Sequence, residues 1–248
     1  MRSLDPVGVG TLLRALEGSE LYVPVLVAIG TGLRRCELLG LRWNDVDLDN
    51  SRLSVRRSVE VVDGELRVKP PKTSRSARTL TLADTLVDTL RKHRADQNAR
   101  RLLLGLGRDD ETWIFDRADT RPWDPGEFSL AFARFVKGAD VPKVRFHDLR
   151  HTHATLALAA GTDLKTISAA LGHSAIGVTA NTYLHLVEAL QKDHANRIDS
   201  VLRGALDEAV SQGSGPQRAH KAPTQMKKAR QIELSVVAPT GIEPVFSP

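Results

Sequence analysis

The sequence predicts a mainly α-helical domain with one small three-stranded antiparallel sheet inserted early, an α+β arrangement. Three observations carry this. Apolar residues recur at helical spacing over residues 8–30 and again over residues 83–104. Between Asn44 and Leu82 the spacing changes to period two, and Asp63-Gly64 supplies a tight-hairpin signal. Helical spacing then returns beyond residue 127 and runs to about residue 205.

The elements follow in order. Residues 8–17 and 20–30 form two helices, with Leu12, Leu13 and Leu16, then Val23, Leu26 and Val27, on their buried faces. Thr31-Gly32 breaks the second, and a short helix follows with Glu37, Leu38, Leu39 and Leu41. Leu53, Val55, Val59 and Val61 lie at strand spacing before the Asp63-Gly64 turn, and Leu66 and Val68 return from it. Thr79-Leu80-Thr81-Leu82 makes the third strand, joined to the second by the polar connection Lys72 to Ala77. A helix occupies 83–104, and the Gly/Asp/Pro-rich stretch 105–126 is mostly loop around Trp113-Ile114-Phe115. Helices come next at 127–138, 147–160, 163–171 and 176–205, the last with a break near Tyr183. We find no internal repeat.

Composition narrows the function classes. With 248 residues, 41% hydrophobic and 26% charged, the chain is of ordinary globular make-up and long enough to bury a core. A lone cysteine, Cys36, excludes an internal disulfide framework and fits a reducing cytosol. No apolar run reaches membrane-spanning length and no signal pattern opens the chain, so the expectation is a cytoplasmic protein with no membrane partner. The net charge of +5 favours a polyanion. Arginine outnumbers lysine, which suits forked phosphate contacts but would equally follow from a GC-rich genome.

The chemistry concentrates in His147-Asp148-Leu149-Arg150-His151, Leu171-Gly172-His173 and Thr182-Tyr183. Imidazoles, a guanidinium and a phenol can bind, polarise and attack a phosphodiester without a metal. Of only two tyrosines, Tyr22 lies in the apolar run Leu21 to Ile29 and reads as core, leaving Tyr183. His147 and Arg150, at i and i+3, share a helix face, so the arginine forks onto phosphate oxygens while the histidine bonds or takes a proton. A second arginine stands upstream in Thr31-Gly32-Leu33-Arg34-Arg35-Cys36-Glu37. Two guanidiniums around one phosphate would offset the charge of its transition state, the work a metal does elsewhere.

Plainer readings stand beside these. Arg35, Arg42, Arg56 and Arg57 read as solvated or salt-bridging, Glu37 as a structural partner for an arginine, and His173 as a helix cap. His147 and His151 at i, i+4 could form a zinc pair, but the candidate third ligands Asp148 and His153 do not share that face.

Arg34, a hairpin lysine, His147-x-x-Arg150, Leu-Gly-His173 and Tyr183 in Asn-Thr-Tyr-Leu-His resemble, in order and spacing, the tyrosine recombinase (phage integrase) family over about residues 8–205. The resemblance implies the catalytic-core fold of that family. It makes Arg34 the first catalytic arginine, Glu37 its supporting acid and Lys72, in Pro71-Lys72-Thr73, the hairpin lysine. Lys69 is set aside because it lies within a strand just before two prolines. His147, Arg150 and His173 complete the phosphate site, and Tyr183 is the nucleophile. The implied reaction cuts and rejoins DNA strands through a 3′-phosphotyrosyl intermediate, with no cofactor, metal or ATP. The implied partners are double-stranded DNA, three further copies of the chain on paired sites, and a directionality factor. The implied location is the bacterial cytoplasm, at the nucleoid. A dimer resolvase, a type IB topoisomerase-like enzyme and a truncated remnant that binds DNA without recombining are the alternatives.

The chain also departs from that pattern. Met1 lies about thirty residues before Arg34, so residues 1–206 are expected to be a catalytic domain without the N-terminal core-binding domain. Weak, salt-dependent DNA binding is then expected, since phosphate contacts would be lost. Residues 207–248 are expected to form a flexible basic tail. Within it, Gly241-Ile242-Glu243-Pro244 can be encoded by GGGATCGAACCC, whose complement reads like a tRNA T-arm. The reading frame would then end inside an attachment site; an arbitrary tail is the alternative.

Overall fold

The structure is a computed structural model that describes residues 3–70, 77–117, 120–172, 195–196, 198–205 and 208. Helix α1 (Pro6–Leu16) starts where Asp5 accepts the Gly8 backbone N–H at 2.7 Å and Pro6 occupies the first turn. Helix α2 (Tyr22–Thr31) ends at Gly32, whose φ of 65° is left-handed. The short α3 (Arg35–Leu38) leads into a single 3-10 turn, Trp43–Asp45. The strands are β1 (Val46–Asp47), β2 (Arg52–Val55), β3 (Ser58–Val62), β4 (Glu65–Lys69) and β5 (Arg78–Thr81). Helices α4 (Asp84–Leu103), α5 (Pro125–Gly138), α6 (Asp148–Ala159) and α7 (Leu164–Leu171) complete the described elements, and the described residues of 195–205 are helical.

The fold is mainly helical with a small three-stranded antiparallel sheet, but the strands are shared out differently from the sequence expectation. The three-stranded sheet has the order β1-β2-β5, with Leu53 opposite Leu80, while β3 and β4 pair as a separate two-stranded ribbon. The expected long first strand breaks at Arg56-Arg57, because Arg57 turns to the buried Asp45 at 2.8 Å. Val59 follows Val55 by an even step of four positions, so Leu53, Val55 and Val59 keep one parity and all are buried. The ribbon turns at Asp63 (φ 55°) and Gly64 (φ 80°), the backbone that Asp-Gly favours.

The larger apolar cluster of the described residues lies around α2, which packs against α6 and α4. Val25, Val27 and Ala28 of α2 are buried with Leu149 of α6 and Leu90 of α4. Tyr22 is half-buried against this core. An aromatic cluster closes the α5 side: Phe146 meets Phe128 and Phe132 edge-on, with ring centres 4.9 and 5.4 Å apart. No helix among the described residues is long and apolar enough to cross a membrane.

Candidate active site

The C-terminal ends of α2 and α7 meet the start of α6 and the start of α3. At Gly32 an added Cβ would lie 2.7 Å from His153 Cδ2 and from Leu171 Cδ2, so only glycine fits the turn there. The carbonyl of Gly32 accepts Arg150 Nη1 at 2.7 Å, and the carbonyl of Leu171 accepts Arg150 Nη2 at 2.6 Å. His153 bonds the Ile29 carbonyl at 2.9 Å through Nδ1 and packs on Gly32, which gives it a structural place.

Arg34 stands in extended backbone just before α3. Its backbone N–H donates to Glu37 Oε2 at 3.0 Å and its Nη1 to Glu37 Oε1 at 2.9 Å. Its Nη2 reaches the Gly172 carbonyl at 3.4 Å. The two arginines therefore hold successive carbonyls, Leu171 and Gly172, immediately before His173.

Arg34 and His147 line a cavity of about 300 Å³ with Arg35, Cys36, Ser129 and Phe146. His147 and Phe146 also border a larger, mostly apolar cavity of about 740 Å³ along α5, lined by Phe132, Val136 and Val144. The His147 ring meets that of His151 edge-on, with centres 5.4 Å apart. Burial first, then the charge of Arg150, lowers the His147 imidazole from its ordinary value, which favours the neutral form that can take a proton. His151 is lowered as well, by burial and then by His147. Among the described residues no three His, Cys, Asp or Glu side chains converge as a metal-ligand set.

Beneath Arg34, Glu37 is buried and binds a second arginine that the sequence reading did not single out. Arg78, from β5, places Nη2 2.9 Å from Glu37 Oε2 and Nη1 3.2 Å from Oε1, and its Nε donates to the Ala170 carbonyl at 2.6 Å. Burial alone would raise the Glu37 carboxyl, but the hydrogen bond and charge of Arg78, then those of Arg34, hold it below the ordinary value. A signal was present: period two puts Arg78 on the same strand face as Leu80 and Leu82, which are buried.

Of the predicted site residues, Arg34, Glu37, His147 and Arg150 come together. Lys72, His173 and Tyr183 lie outside the described residues. Lys69 is engaged with Glu60 across the ribbon. Arg42, Arg56 and Arg57 pair with Glu111 or Asp45, whereas Arg35 donates to Ser129 Oγ at 2.5 Å.

Comparison with known proteins adds to this geometry. The model of the phage integrase family matches residues 3–189. A tyrosine recombinase XerC-like protein of Caldanaerobacter subterraneus subsp. tengcongensis is 34% identical over 199 residues, covering 75% of this chain and 50% of that protein. The ICEBs1 integrase of Bacillus subtilis is 35% identical over 176 residues, covering 71% of this chain and 48% of that protein. The chain thus spans about half the length of these relatives. Among solved structures, the Tn1549 transposon integrase in complex with transposon right-end DNA superposes with a TM-score of 0.65 at 24% identity, covering 78% of this chain and 66% of that one. The XerA recombinase gives 0.61 at 26% identity, covering 78% and 65%.

Proposed function

The chain belongs to the phage integrase family, and from that premise we propose that it is a site-specific DNA strand transferase, the catalytic domain of a tyrosine recombinase spanning residues 1–206. The observation that carries this reading is the approach of Arg34 and Arg150 to the successive carbonyls of Gly172 and Leu171, with His147 beside them. The Arg34 guanidinium and the His147 imidazole on one small cavity, with Arg150 held on the adjoining Leu171 carbonyl, make a seat for a phosphodiester entering its transition state.

In the proposed reaction the Tyr183 phenol oxygen attacks the scissile phosphorus as the bond to the 5′-oxygen breaks. The phenol, with an ordinary pKa near 10, gives its proton to His147. Lys72 protonates the departing 5′-oxygen. Arg34, Arg150 and His173 stabilise the nonbridging oxygens, and Glu37 orients Arg34. The 3′-phosphotyrosyl bond keeps the phosphodiester energy, so a 5′-hydroxyl of another strand reverses the attack without ATP or metal. Double-stranded DNA is the substrate, with four copies on paired sites and a directionality factor as proposed partners. The relative named as an integrase favours an integrating element, and dimer resolution is the second reading.

The test is a nicked suicide duplex carrying the candidate site. A covalent protein–DNA band is expected that survives EDTA and disappears in Tyr183→Phe. A band that persists without the phenol, or that EDTA removes, overturns the reading.

A further inference from the structure

We propose that Arg78 is a positioning residue for strand transfer, balancing the charge of Glu37 so that Arg34 presents an undiminished positive charge to the phosphate; this rests on the function proposed above. A carboxylate 2.9 Å from Arg34 orients the guanidinium but also cancels much of its field. Arg34 and Glu37 alone sum to zero. With Arg78 the triad carries one net positive charge, and Arg150 adds a second.

The placement of Arg78 suits this role better than a general structural one. Its side chain is 8% exposed, as is that of Glu37, whereas Arg34 is 41% exposed and faces the cavity. Solvent therefore screens Arg78 and Glu37 little, and each feels the other strongly. The guanidinium is held on three sides. Glu37 takes two of its nitrogens, Ala170 takes Nε, and it lies so close to Gly172 that an added Cβ there would stand 2.9 Å from Nη1. Arg78 thus ties β5 both to the acid behind Arg34 and to the turn whose Gly172 carbonyl Arg34 touches. The low carboxyl pKa of Glu37 agrees, since the acid stays ionised despite its burial.

The arrangement makes a prediction that a packing role does not. In Arg78→Met the shape is nearly kept but Glu37 is left to neutralise Arg34. Adding Glu37→Gln to that variant removes the excess negative charge, while the amide oxygen still accepts one of the two Arg34 donors. Single-turnover cleavage of the suicide duplex at saturating protein should slow about tenfold or more in Arg78→Met. The double variant should recover most of that loss, with thermal melts confirming folded protein. Wild-type cleavage by Arg78→Met, or a double variant no faster than the single one, overturns the proposal.

A DNA-free arm separates this from the function reading. Inorganic phosphate is titrated while the His147 imidazole signal is followed by NMR. Affinity should fall in Arg78→Met and return in the double variant. If the wild type forms no covalent adduct, strand transfer fails as the function, and the phosphate arm still decides Arg78: affinity that Arg78→Met does not weaken overturns it.

Discussion

Two arginine-rich regions of this chain share a composition and differ in surroundings. On the flank formed by α4 and the 105–117 loop, Arg42 meets Glu111 at 2.5 Å and lies over Trp113 at 4.4 Å, Arg94 pairs with Asp110, and Arg91 meets Asp49 at 3.5 Å. Glu111, Asp110 and Asp49 are all more than half exposed. In the site, Glu37, Arg78 and Arg150 are buried, and the guanidiniums end on main-chain carbonyls of α2 and α7 as well as on Glu37. Water and salt screen the first region, so its pairs contribute little beyond solubility and local order. The second is shielded, so each charge is fixed in place and acts on its neighbours. Arginine count does not distinguish the two regions; the burial of the acid and the main-chain partners of the guanidiniums do.

The largest contrast should come from Arg150→Ala. On the proposed function it removes one of two transition-state charges, and it leaves the Gly32 and Leu171 carbonyls without this donor. Cleavage of the suicide duplex should fall by about a hundredfold or more, and denaturant melts should lose roughly 1–3 kcal/mol per buried group left unsatisfied. Cleavage near the wild-type rate would erase the distinction between the regions.

Acid should separate them next. The Glu37 carboxyl is held below its ordinary value, so its stabilisation is full above the unfolded carboxylate pKa and is lost as pH falls through the folded value. His147, His151 and His153 are depressed, chiefly by burial, so the unfolded chain takes up protons first and stability begins to decline as pH drops below their ordinary value. Denaturant midpoints should therefore decline in two stages between about pH 7 and about pH 3. The cleavage rate should hold below the ordinary histidine pKa before His147 protonates. A rate that already falls above that pKa would assign the proton transfer elsewhere.

The smallest effect belongs to the flank. Arg42→Ala should cost no more than about 1 kcal/mol and leave cleavage unchanged in the same assays. A loss comparable with that of Arg150→Ala would show that the surface pairs take part in the site.

Much of this was legible in the chain. The period-two stretch and Asp63-Gly64 located the ribbon, and the Gly32 break and the His147–Arg150 pair were readable from local spacing, whereas the family resemblance pointed to Arg34 and Glu37. The partition of strands was not, because pairing is non-local: β2 meets β5 across the whole ribbon, with Ser54 opposite Thr79. Arg78 escaped for a similar reason. Its strand parity pointed inward, but a lone arginine at a strand start announces no partner until Glu37 is brought to it from 41 residues away.

By itself the sequence determined which groups exist and how each is locally held: a glycine that ends α2, an arginine before α3, and a histidine and arginine one turn apart on α6. Periodicity and backbone sterics act over a few residues, and those are written in the order of side chains. Only the tertiary structure decided that Arg150 spans Gly32 and Leu171, that Arg34 and Arg78 divide Glu37, and that burial lowers the His147 imidazole. Burial and charge coupling depend on what the packed core brings alongside, and that is a property of distance in space.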